Sequence, residues 1–163
     1  MTFESLPCRT DWPRLLGAAP AEALEAVAGQ LAAAYAVEDL SLPQAGLGLL
    51  QLADGALADA YYLGEIPLSC AHVRLTAPDG QVGTGAAHWL DDQVARTRAM
   101  AIVDAALSAR LPGSEAALPL LAAGQAALAR TKAERRQLLS ATRVDFSLLG
   151  MKENDAEEDD DDC

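Results

Sequence analysis

His72 and His88 are the two histidines of the chain, and a pair of imidazoles on neighbouring strands could serve as general base and acid or hold a metal. Two nitrogens fall short of a metal site, because Asp79, Asp91 and Asp92 show no recognisable ligand spacing around them. A structural histidine at each position is the simpler expectation. Ser69 and Cys70 could act as nucleophiles, yet neither sits in a G-x-S-x-G elbow with a base and an orienting carboxylate. Cys70 is therefore expected as a small buried residue. Gly83-Thr84-Gly85 has two of the glycines of a phosphate loop but lacks both the third and a Gly-Lys-Ser/Thr ending, so these are strand or bulge glycines. Arg130, Lys132, Arg135, Arg136 and Arg143 form a basic run. Guanidinium forks on one helix face suit phosphate oxygens, a protein contact, or simply solvent. Tyr61, Tyr62, Arg143, Val144, Asp145 and Phe146 are candidate interface residues, since Tyr and Phe bury large areas at low entropy cost.

The elements that must position these groups follow from periodicity. Pro20 to Tyr35 reads as a helix, with Pro in the opening turn and Leu24, Val27, Leu31 and Ala34 at helical spacing. A short helix or turn over Asp11 to Ala18 precedes it. Apolar clusters at Leu47 to Leu52, Tyr61 to Leu63, Ala71 to Leu75 and Val82 to Leu90, separated by Gly55, Gly64 and Pro78-Asp79-Gly80, predict an antiparallel meander of three to five strands. Around Pro78-Asp79-Gly80, Ala71, Val73 and Leu75 alternate with His72, Arg74 and Thr76. A four-residue loop would pair Leu75 with Val82, and a three-residue loop would pair it with Gly83. The apolar pair is the preferred register; it puts His88 on the core face and turns Trp89 away. A second long helix opens at Asp91 or Asp92, shows Ala95, Ala99, Ile102, Val103, Ala106 and Leu107 as one stripe, and ends at Leu111-Pro112-Gly113. Glu115 to Thr142 is a third helical stretch, bent or divided at Pro119 and Gly124. Val144 to Met151 suits a final strand or an extended docking segment.

The expected fold class is thus α+β, a small antiparallel sheet packed with helices, forming a single domain over residues 1–151. Ala and Leu make up 61 of 163 residues while Phe, Trp and Tyr sum to 7, which favours helices with small contact residues over an aromatic-rich sandwich. The formal charge of -12 disfavours nucleic acid or an anionic membrane as a partner through like-charge repulsion. Residues 152–163 carry eight of the acids and only Lys152 in return, so they are expected to be a disordered acidic tail. Three widely spaced cysteines suggest neither a disulfide framework nor a zinc site. Glu4, Pro7, Asp11 and Pro13 occupy the place of a signal peptide's apolar stretch, and no charge-free apolar run reaches membrane-spanning length. A cytoplasmic protein is expected.

An ordered set of pieces carries a family resemblance. Gly64-Glu65, Ala71-His72-Val73-Arg74-Leu75, Asp79-Gly80, Asp92 and Ile102-Val103-Asp104-Ala105-Ala106-Leu107 are followed by Ala141-Thr142-Arg143-Val144-Asp145-Phe146. Together they resemble PhnG, a subunit of the bacterial carbon-phosphorus lyase core complex, whose characteristic stretch is T/S-R-V-D-F. The resemblance runs from about Asp11 to Gly150. The chain departs from the family at Leu90-Asp91-Asp92, where Gly-Arg-Asp is common, and after Phe146, where Ser147-Leu148-Leu149-Gly150 replaces an aromatic and a Val-Arg-Gly ending. An arginine that could meet an anion is therefore missing here.

The resemblance implies an accessory subunit beside PhnH-, PhnI- and PhnJ-type partners, the PhnI type most directly, with a PhnL-type ATPase-like accessory protein. The complex exchanges the adenine of ATP for an alkylphosphonate at the ribose C1′ carbon. On this reading ATP and alkylphosphonate are substrates of the complex, the catalytic residues lie on partners, and the iron-sulfur cluster and S-adenosylmethionine belong to a partner subunit. No cofactor is expected on this chain. Two rival readings are an enzyme using His72 and His88 on a triphosphate, and a stand-alone homo-oligomeric phosphate or nucleotide binding module.

Overall fold

The computed structural model describes residues 2–57 and 59–141. Short 3-10 turns at Phe3–Ser5 and Arg9–Asp11 lead into α1 (Trp12–Ala18) and α2 (Ala21–Ala34). Three strands follow, β1 (Ala36–Ala53), β2 (Ala60–Thr76) and β3 (Val82–Trp89), then α3 (Val94–Ser108), a 3-10 turn at Ser114–Ala117, and α4 (Leu118–Ala141). The sheet is antiparallel in the order β1-β2-β3. This is the α+β architecture that the periodicity predicts. The described residues divide into two units, 2–129 and 130–141. The sheet and its core belong to the first. The acidic tail and the stretch Arg143 to Phe146 lie outside the described residues.

The core forms where α3 packs between the sheet and α2. Thr97 and every residue from Ala99 to Leu107 are buried, because a helix covered on both sides has no solvent face left to keep polar. Leu24, Ala28 and Leu31 of α2 and Ala71, Val73 and Leu75 of β2 close on it. Ala34 and Ala95, expected on the apolar stripes of their helices, are exposed. Two of the polar residues that enter this interior pair with each other: Ser69 and Thr97 share a buried hydrogen bond of 2.6 Å between β2 and α3. Asp104, also buried, accepts from Arg9 Nε at 3.0 Å, Arg9 Nη2 at 2.6 Å and the Ala86 amide at 3.1 Å. One carboxylate thus ties the amino-terminal segment, β3 and α3 together.

The hairpin register differs from the preferred expectation. Leu75 lies opposite Gly83, Val73 opposite Gly85, and Thr76 opposite Val82. Ala77 and Gln81 close a three-residue loop through the Ala77 amide and the Gln81 carbonyl, with Gly80 at φ 87°. Helix packing overrides the apolar cross-strand pair. A Cβ on Gly83 would meet the Ala105 carbonyl oxygen at 2.5 Å, and one on Gly85 would lie 2.2 Å from the Ala101 oxygen. Only glycines let α3 lie this close to β3, so they must face inward.

Register decides the faces of β3. Gly83, Gly85 and Ala87 are buried, Trp89 is half-buried against the core, and His88 is exposed. The expected placement of His88 and Trp89 is therefore reversed. The Trp89 ring covers Gly17 of α1, where an added Cβ would come within 2.1 Å of it. Two helix boundaries also differ. Gln93, not an aspartate, occupies the N-cap position of α3, while the Asp91 carboxylate accepts from the Gln93 amide to form the turn before it. In α4 the division falls before Leu118; Pro119 sits in the first turn, and the helix runs unbroken through Gly124. Gly124 is required because a Cβ there would lie 1.9 Å from the Leu15 carbonyl oxygen.

Candidate functional site

The four apolar clusters resolve into three strands, because Tyr61 to Leu63 and Ala71 to Leu75 belong to one continuous β2. Gly64, expected as a break, is accommodated inside it at a register shift, where Leu63 is the extra residue and Gly64 adopts φ 153°. At 18 and 17 residues, β1 and β2 are long, against a usual strand length of about five or six. β3 pairs only with Ser69 to Thr76. From Gly46↔Leu68 to Ala53↔Ala60, β1 and β2 therefore continue alone as a two-stranded arm. No described residue from Ala36 to Leu68 belongs to the buried core.

The arm is apolar although it packs on none of that core. Leu47, Leu49, Leu52, Leu57, Tyr61, Tyr62 and Leu63 are all exposed. Between Leu40 and Val73 the only formal charges are Asp54, Asp59 and Glu65, with no Lys or Arg. An isolated two-stranded ribbon is marginal in water, and contiguous exposed apolar surface marks an interaction site. Tyr61 and Tyr62, proposed as interface anchors from the sequence, stand on this arm on opposite faces, opposite Leu52 and Gln51 respectively. The arm's leucines carry the same property, but the sequence shows Leu47 to Leu52 only as an apolar strand cluster, since a strand apolar on both faces looks like a buried one.

On the outer face of the sheet, away from α3, Cys70 lies opposite His88 and His72 opposite Ala86. An open depression of about 320 Å³ is lined by Gln44, Gly46, Leu68, Cys70 and His88 among others. Cys70 is half-buried, more accessible than expected, and both histidines are exposed. Among the described residues, no group of three or more His, Cys, Asp or Glu is placed to hold a metal ion. Of the basic run, Arg130, Lys132, Arg135 and Arg136 are exposed on the second half of α4, and Arg143 lies outside the described residues. Cys8 is exposed at the amino-terminal segment, and the Thr10 hydroxyl donates to its sulfur at 3.2 Å, holding the thiol below its usual range.

The family model described as phosphonate metabolism protein PhnG matches residues 8–150. The chain belongs to the PhnG family. PhnG membership gives it a role in phosphonate metabolism. Compared with curated proteins, the chain matches none. The matched range takes in the whole arm, the sheet and helices α1 to α4. No helix among the described residues is long and apolar enough to cross a membrane.

Proposed function

We propose that this PhnG chain is an accessory subunit of the carbon-phosphorus lyase core complex, required for transfer of the ribose triphosphate moiety of ATP to an alkylphosphonate with release of adenine. The observation that carries the reading is the arm: an apolar ribbon that contributes nothing to its own core and so gains stability by docking on another protein. A PhnI-type subunit is its most direct partner, with PhnH- and PhnJ-type subunits and a PhnL-type accessory protein in the same assembly. The adenine-displacing residues, the iron-sulfur cluster and S-adenosylmethionine belong to the partners, and the complex works in the cytoplasm. The exposure of His72 and His88 supports this division of labour, because an open sheet face gives a reacting triphosphate no protection from water.

Co-expression with the PhnI-type partner tests the reading. A complex that co-purifies is expected, and the isolated chain should show no conversion of ATP plus methylphosphonate. Turnover by the isolated chain, or a chain that stays unassociated when all the partners are supplied, would overturn it.

A further inference from the structure

We infer that the arm is inserted into a cleft of its partner that covers both of its faces and carries Lys or Arg where it meets Asp54, Asp59 and Glu65. The inference rests on the subunit reading and adds how the arm is held and by what chemistry. Alternation along the paired strands puts Leu50, Leu52, Tyr61, Ile66 and Leu68 on the face continuous with the outer side of the sheet. Leu47, Leu49 and Tyr62 stand on the opposite face, with Gln51 opposite Tyr62 and Glu65 opposite Leu49 as its polar members. A ribbon lying flat on a partner needs one apolar face and keeps the other polar for water. Here Leu47, Leu49 and Tyr62 are 68%, 64% and 63% exposed on one side, and Tyr61 and Leu52 are 46% and 36% exposed on the other. Covering a single face would leave the second set in water. Insertion between two walls removes both.

Charge selects the kind of wall. Asp54 and Asp59 at the tip of the arm and Glu65 beside Leu49 are unopposed by any base between Leu40 and Val73, so a complementary cleft is basic where it meets them. A second copy would bring the same three acids on its own arm, and like charges facing each other across an interface disfavour that pairing.

The test uses the full chain and the PhnH-, PhnI- and PhnJ-type subunits, with affinity measured by titrating one against the others. Leu49→Asp and Leu52→Asp place a charge on opposite faces of the arm. Each alone is expected to weaken assembly by about tenfold or more, while each isolated variant melts like the parent. If either variant misfolds, Tyr62→Ala and Tyr61→Ala address the same two faces more mildly. Loss of assembly with one face and not the other would replace insertion by one-sided docking and leave the subunit reading intact. An unmodified chain that never assembles would sink both. Self-dimers that form with rising concentration and vanish in both variants would put a second copy in the cleft and overturn the proposal.

Discussion

Cys8 and Asp104 show how single side chains act outside the arm. The hydrogen bond from the Thr10 hydroxyl stabilises the Cys8 thiolate, so a larger fraction of Cys8 is ionised at neutral pH than of an ordinary thiol. Peptide mapping after limited iodoacetamide treatment should find Cys8 alkylated faster than half-buried Cys70. Thr10→Val should move the pH midpoint of Cys8 labelling upward; an unchanged midpoint would show that the hydroxyl does not set it. Asp104 joins three segments through one carboxylate, and its hydrogen bonds hold the Arg9 guanidinium above its usual range. Asp104→Ala strands the Ala86 amide and leaves Arg9 with its bond to the Thr84 carbonyl at 3.0 Å. Because the Arg9 side chain is half in water, the loss is set mainly by the stranded amide, about 2 kcal/mol by urea denaturation. A midpoint equal to the parent's would refute the clamp.

The helix-on-sheet contact depends on missing side chains. Gly85→Ala would push a methyl into the Ala101 oxygen and the Ala105 amide nitrogen at 2.2 and 2.3 Å. Sheet and helix must part, so a loss of about 2 kcal/mol or more is expected. Gly46→Ala is the contrasting case, with no atom within 4 Å of the added carbon, and should change stability by less than about 0.5 kcal/mol. Equal effects of the two substitutions would mean that α3 is not seated on β3 as described. Strand alternation in Ala71 to Leu75 was legible because one face is apolar and the other polar. The pairing partner of Leu75 was not, since a local rule favouring Leu against Val has no knowledge of a helix arriving from beyond residue 94.

In the molecule as a whole, the arm separates stability from assembly. Replacing residues 47–67 with an Asn-Gly turn joining Gly46 to Leu68 removes exposed apolar surface and no core residue. The shortened chain should melt within a few degrees of the parent and fail to co-purify with the PhnI-type subunit. Retained assembly would move the interface elsewhere and remove the main support for the accessory reading. The same deletion should raise solubility, as it takes away exposed Leu47, Leu49, Leu52, Leu57 and Leu63.

Periodicity and punctuation were enough for the helices, the antiparallel sheet and the inward set Ala71, Val73 and Leu75, because each depends on neighbours a few residues apart. The ordered pieces from Gly64 to Phe146 also carried the family. Three things needed the tertiary structure: the inward turn of Gly83, Gly85 and Trp89, the outward turn of His88, and the solvent exposure of the Leu47 to Leu52 cluster. Hydrophobicity records that a residue avoids water, whereas whether a helix of the same chain or another protein shields it depends on where β3 stops beside β2.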